Sequence, residues 1–299
     1  MSVMARLAAA PISWGICEVP GWGEMLPASR VLAEMASLGF TATELGAPGF
    51  LPEQPDELRA TLEEHGLRLA AGFVPLVLHD RSVADSTLAI AERTADLFAA
   101  AAADVFVTAA VVDPDWAPRR PLDDDEWAHL VAMLTRLDEV TADRGVSHVV
   151  HPHVGTLIED ADDVARLLAS SDVRWCLDTG HLTIGGVDPV AFARDHSRRV
   201  GHVHLKDVDD GVAARVQSGE LDLMAAVQQG LFRPLGRGDV AIDAVVAHLE
   251  GSGYDGWYVL EQDMAMTGAP PPPGSGPVLS VKESIEHLRA TSAGQPALG

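Results

Sequence analysis

The chain has 299 residues, 47% apolar and 5% aromatic, enough to bury a sizeable core in one large domain or two ordinary ones. Its 44 acidic against 21 basic residues leave a formal charge of −23, which repels polyanions and excludes nucleic acid and anionic membrane surfaces as natural partners. Cys17 and Cys176 are the only cysteines, too few for a disulfide framework and wrongly spaced for a zinc cluster. Two buried thiols in a cytoplasmic protein are expected, since disulfides are rare in that compartment.

The first residues, MSVMARLAAAPISWG, carry an apolar stretch too short for a secretory signal core, and it runs directly into a strand-like segment. No run approaches the roughly 20 apolar residues of a membrane span. Strands are expected at 6–14, 41–46, 67–74, 104–110, 147–153, 173–180, 199–207 and 256–263, where short β-branched or apolar runs end in polar residues. Helical patterns lie between them. PASRVLAEMASLGF offers Ser29 as a cap and Gly39 as a stop, and EWAHLVAMLTRLDEVTADRG repeats apolar residues at three-to-four spacing. DADDVARLLAS and IDAVVAHLEGSG follow the same grammar. A Pro/Gly-rich linker is expected over 264–280, a closing helix over 281–293 and a frayed tail over 294–299.

Eight β–α alternations in this length predict a single-domain (β/α)₈ TIM barrel over 1–299. An open doubly wound sheet is the alternative, but the first strand lacks a Gly-rich phosphate turn.

A barrel of this kind places its active site at the carboxyl ends of its strands. The polar residues there are Glu44 after strand 2, His151 and His153 on strand 5, and Asp178 with His181 on strand 6. Strand 7 adds His202, His204, Lys206 and Asp207, and strand 8 adds Glu261 and Asp263. Both His-x-His pairs aim two imidazoles to one face of a strand. Strands 5 to 8 are neighbours, so their ends can converge on one ion. Mixed nitrogen and oxygen donors suit Mn²⁺ or Co²⁺ first, with Zn²⁺ and Fe²⁺ also compatible, whereas Mg²⁺ favours oxygens alone. The competing reading is a set of buried, mutually paired polar groups without a metal, disfavoured by the cost of burying so many ionisable groups.

WCLDTGHL, GHVHLKD, LGRGD and YVLEQD together resemble the xylose-isomerase-like sugar isomerase/epimerase superfamily of barrels, and the strand 5 run HPHVGT resembles its inosose dehydratase branch. The resemblance implies one divalent metal held by Asp178, His204 and Glu261. The superfamily's fourth ligand is a strand 5 glutamate, and here that position is His151, with His153 the other candidate. The loss of that carboxylate argues against a two-carboxylate epimerisation. His202 is expected to support a neighbour from the barrel floor. Lys206 is expected either to pair with Asp207 at the rim or to stabilise an enolate. Trp14 is placed as an apolar wall against the substrate, with plain core as its alternative, and Arg237 and His181 complete the expected substrate contacts.

The chemistry implied is removal of water from a polyhydroxylated, inosose-like ketone through an enediolate, with the metal polarising the carbonyl. His153 and Glu44 are candidate bases, and a protonated His181 or His153 is the candidate acid. Alternatives are isomerisation or epimerisation of a free sugar, β-elimination from a 3-keto-glycoside, and a metal-free sugar-binding barrel. A small carbohydrate or polyol is the expected partner. Oligomeric state is left open.

Overall fold

The computed structural model describes residues 2–17, 19 and 21–294. A 3₁₀ turn precedes β1 (Leu7–Ala9), and then come α1 (Ala28–Leu38), β2 (Ala42–Glu44), α2 (Pro55–Glu63) and β3 (Arg68–Leu76). The alternation continues with α3 (Ala84–Ala100), β4 (Val105–Ala110), α4 (Asp124–Ala142), β5 (Ser147–Val150) and α5 (Ala161–Ser170). Next are β6 (Trp175–Asp178), α6 (Thr179–Ile184), α7 (Pro189–His196) and β7 (Val200–Leu205). An insertion holds β8 (Asp207–Val208), α8 (Asp210–Gln217), α9 (Leu223–Gln228) and β9 (Phe232–Arg233). The chain then forms α10 (Ile242–Gly251), β10 (Tyr258–Leu260) and α11 (Pro277–Gly294).

Eight parallel strands close in the order β1-β10-β7-β6-β5-β4-β3-β2, so β10 is the eighth barrel strand. The expected TIM barrel is thereby confirmed. β8 and β9 form a separate antiparallel pair that the alternation pattern did not signal. Small and β-branched residues, among them Ala8, Ala42, Val107 and Val149, fill the barrel interior, while larger side chains such as Leu32, Phe98 and Trp175 pack between sheet and helices.

Every expected barrel strand exists, and most are shorter than expected for local reasons. Pro11 opens a 3₁₀ turn directly after β1. Pro152 has no N–H to donate, and the His153 N–H folds back onto the Ile158 carbonyl at 2.9 Å, ending β5 at Val150. Asp178 ends β6 because its carboxylate accepts the His181 N–H at 2.7 Å, capping α6. Gly39 stops α1 as expected, with φ of 88°. Ser29 does not cap α1: Pro27 holds that position, and Ser29 lies inside the first turn.

Residues 264–276 form neither helix nor strand, and the last helix starts at Pro277 rather than 281. The segment is strapped to the first βα unit. The Trp22 indole donates to the Met264 carbonyl, Arg30 donates to the Pro271 and Pro272 carbonyls, and Gly274 N–H donates to Glu34. Of the expected tail, Gly294 closes α11 and 295–299 lie outside the described residues. Cys176 is buried as expected, but Cys17 is only half-buried and accepts the Val19 N–H on its sulfur. Among the described residues, no helix is long and apolar enough to cross a membrane.

Candidate active site

Strand order brings the carboxyl ends of β5, β6, β7 and β10 side by side. His151 follows β5, Asp178 ends β6, His204 lies in β7 and Glu261 follows β10. Their donor atoms meet. His151 Nε2 is 3.1 Å from His204 Nδ1 and 3.3 Å from Asp178 Oδ2. His204 Nδ1 is 3.5 Å from Asp178 Oδ2 and 3.2 Å from Glu261 Oε2. Donors about 2.0–2.2 Å from a tetrahedral ion lie roughly 3.3–3.6 Å apart, close to this spacing. Asp178 Oδ2 is buried and makes no aligned hydrogen bond of its own, as does His151 Nδ1. Two imidazole nitrogens and two carboxylate oxygens at these separations therefore fit one divalent transition metal ion.

A layer below, Glu44 Oε1 accepts from His202 Nε2 at 2.8 Å and His204 Nε2 at 3.1 Å. This carboxylate fixes His204 so that Nδ1 faces the cluster. Burial alone would raise the Glu44 pKa, but His204 and His202 hold it below the usual carboxylate range. Glu44, a candidate base in the sequence, is thus engaged by two imidazoles on the barrel floor, beneath the donor cluster. His202 is fully buried beside it, in the supporting position expected.

Lys206 is buried with its ammonium 2.8 Å from Glu261 Oε2, 2.9 Å from Asp263 Oδ1 and 3.3 Å from Asp178 Oδ2. Burial works against its charge, yet Asp178, Asp263 and Glu261 hold its pKa well above the usual amine value. It does not pair with Asp207. That carboxylate instead accepts the N–H groups of Val208, Gly236, Gly238 and Val240, wrapping the LGRGD loop around itself. Gly180 of DTGH leaves room for the Lys206 stem: a Cβ there would sit 2.9 Å from Lys206 Cβ. Gly180→Ala is expected to displace the ammonium and lower kcat by about 10²-fold, the cost of an ångström-scale misplacement, with the metal content of the purified protein unchanged.

The backbone of one residue, Val154, sets the tautomers of the other two histidines. His153 Nδ1 lies 2.8 Å from the Val154 carbonyl, which can only accept, so Nδ1 carries the proton and Nε2 is a free base. The Val154 N–H donates to His181 Nδ1 at 3.3 Å, so His181 presents Nε2–H. The two rings lie 3.8 Å apart between centroids. Removal from water, then His151 and Lys206, bring the His153 pKa down to about 3, and burial, then His153 and Lys206, hold His181 well below its ordinary value. A metal cation would lower both further. Both shifts favour the neutral imidazoles at rest, so the protonated His181 or His153 expected as the acid would gain its proton during turnover.

Two expected substrate contacts are not brought to this site. Trp14 is fully buried, and its indole N–H donates 2.8 Å to Glu34 on α1, so it belongs to the core between barrel and helix. Arg237 projects outward and pairs with Glu283 on α11 at 2.5 Å. The apolar walls come instead from Phe73 and Trp116, stacked at 6.2 Å, and from Phe232, whose ring lies 5.2 Å from Lys206 Nζ. Asp263, noted in the sequence only as a strand-end carboxylate, faces Lys206, and burial pushes its pKa up to about 6.

A closed parallel barrel with a nitrogen–oxygen donor cluster at the carboxyl ends of four adjacent strands defines a TIM barrel equipped for a metal centre. The chain belongs to the xylose isomerase-like TIM barrel family, which it matches over residues 32–291. It is 34% identical over 274 residues to an inosose dehydratase of Geobacillus kaustophilus (strain HTA426), covering 86% of this chain and 87% of that one. It is 33% identical over 274 residues to the rhizopine catabolism protein MocC of Rhizobium meliloti, covering 89% and 84%. The solved structure of the IOLI protein with a bound zinc atom superposes with a TM-score of 0.71 at 14% identity, covering 98% of this chain and all of that one (100%).

Proposed function

We propose that the protein is a metal-dependent carbon–oxygen lyase that removes water from an inosose-like keto-polyol. One observation carries the reading: the strand 5 position facing the donor cluster is an imidazole, His151, rather than a proton-transfer carboxylate, and the base next to it is His153, whose ring lies 5.4 Å from that of His151. The inosose dehydratase among its relatives supports the same substrate class.

His151, Asp178, His204 and Glu261 would hold the ion, with Mn²⁺ or Co²⁺ favoured for a mixed nitrogen–oxygen set. When bound, it supplies Lewis-acid polarisation of the substrate carbonyl. His153 Nε2 removes the proton α to the carbonyl. The Lys206 ammonium steadies the developing oxyanion, an electrostatic task suited to a fixed, buried charge. The imidazolium formed on His153 returns that proton to the departing hydroxyl, so the C–H and C–O bonds break and one water leaves. His181 Nε2–H donates to a substrate hydroxyl and orients it. Glu44 and His202 hold His204 in place and take no proton. We place the enzyme in the cytoplasm, acting on a small carbohydrate or polyol.

The test is NMR in D₂O of metal-loaded protein with inososes, ketohexoses and keto-glycosides. Consumption of an inosose with loss of one water is expected. Interconversion of ketohexose epimers at about 10 s⁻¹, an ordinary enzymatic rate, without inosose consumption would reverse the assignment.

A further inference from the structure

Cys176 is fully buried in β6, two residues before Asp178 and therefore on the same face of the strand. The strand register sets it beside His202 of β7, one layer deeper in the barrel than the Asp178–His204 pair. Its apolar neighbours are Ala71, Val105, Val107 and Val149, a setting in which a neutral thiol packs as a small hydrophobe. The dehydration scheme makes no use of it.

The sulfur nevertheless reaches the donor cluster. Cys176 Sγ, one ring nitrogen of His151 and one of His204 lie within 4.8 Å of one another. Both imidazoles are 1% exposed, and His151 Nδ1 has no hydrogen-bond partner among the described residues. Metal–sulfur and metal–nitrogen bonds of about 2.3 and 2.0 Å set a tetrahedral N···S separation of roughly 3.5 Å, within reach of small side-chain adjustments. The barrel therefore carries two overlapping donor sets. The upper one joins Asp178 and Glu261 to the two histidines and is rich in oxygen. The lower one keeps both histidines and replaces the two carboxylates by one sulfur.

We propose that Cys176, His151 and His204 form a second site, for a thiophilic cation such as Zn²⁺ or Cd²⁺, whose occupation excludes the catalytic ion and halts turnover. The proposal rests on the ligand set assigned above. Carboxylate-rich sets suit Mn²⁺, whereas a thiolate selects softer ions. The thiol proton leaves to solvent as the metal–sulfur bond forms, so no oxidant or reductant is required. Exclusion follows from the shared imidazoles: Glu44 engages His204 Nε2 at 3.1 Å, which leaves His204 one nitrogen to give.

The test titrates Mn²⁺-loaded protein with Cd²⁺, following free Mn²⁺ by electron paramagnetic resonance and the ultraviolet charge-transfer band of a cadmium–thiolate bond. Band growth with release of one Mn²⁺ per chain is expected. The band should survive in Cys17→Ser and vanish in Cys176→Ser and Cys176→Ala. In both Cys176 variants the affinity for Cd²⁺ relative to Mn²⁺ is expected to fall about tenfold or more, as for loss of a metal-supporting group. Two variants are needed because serine leaves a buried hydroxyl and alanine a void, and thermal melts of each report folding. A band that forms without Mn²⁺ release, a band that persists in both Cys176 variants, or an unchanged affinity ratio would overturn the proposal and leave the lyase reading intact. A wild-type protein that shows the Cys176 band but binds neither Mn²⁺ nor Co²⁺ would remove the oxygen-rich set while upholding the sulfur one.

Discussion

Replacement of Asp178 or Glu261 is expected to strip the metal from the protein and to lower turnover on the order of 10³-fold or more, since carbonyl polarisation is lost together with the ion. The two variants differ in what else they disturb. Asp178 caps α6 through the His181 N–H at 2.7 Å, so Asp178→Ala also loses a helix cap, about 1 kcal/mol. Asp178→Asn keeps an acceptor for that N–H and is the cleaner probe. Glu261→Ala leaves the Lys206 ammonium with Asp178 and Asp263, 3.3 and 2.9 Å away, so its charge stays partnered and the fold should stand. Breaking every partner of a buried charge would be far worse, on the order of 3–5 kcal/mol. Elemental analysis of purified Asp178→Asn and Glu261→Ala decides the matter, with thermal melts in the presence and absence of chelator as the control for folding. Full metal retention in both variants would remove these residues from the ligand set.

The barrel was legible because its alternation depends on local patterns: β-branched runs, three-to-four apolar spacing, and stops such as Gly39. The β8–β9 pair was not, because Asp207–Val208 and Phe232–Arg233 are two-residue strands brought together only by the folded insertion. The donor cluster was legible for a different reason. His151, Asp178, His204 and Glu261 each sit at a strand end, and barrel closure makes successive strand ends neighbours. What the sequence hid is side-chain direction and partnership. Trp14 reads like a substrate wall but ends a 3₁₀ turn, Pro11–Trp14, and is buried against Glu34. Arg237 sits in a motif whose work is done by backbone N–H groups on Asp207, and its own side chain faces solvent. Trp116 carried no sequence signal beyond lying after β4. Its place depends on the Asp113 turn, which is visible only in dihedral angles and hydrogen bonds.

The two strand 5 histidines should separate cleanly on mutation, although they are one residue apart. His151→Gln is expected to release the metal, because its Nε2 faces both Asp178 and His204 from within the donor cluster. His153→Gln is expected to keep it. The Nδ1 of His153 is committed to the Val154 carbonyl, and its ring lies against His181, 3.8 Å between centroids and tilted by 34°. Losing a positioned general base costs about 10²–10⁴-fold in kcat, and the loss should appear in kcat with little change in KM. A second readout follows from the assigned role. If His153 Nε2 takes the α-proton, His153→Gln should abolish exchange of that proton with D₂O along with elimination, since both begin with the same C–H cleavage. A His153→Gln protein that holds metal, still exchanges the α-proton and fails only to eliminate water would move the base elsewhere and leave His153 as the donor to the departing hydroxyl. Metal loss in His153→Gln with retention in His151→Gln would exchange the two histidines' roles, and the donor cluster would then have to close through a rotation of the β5–α5 loop.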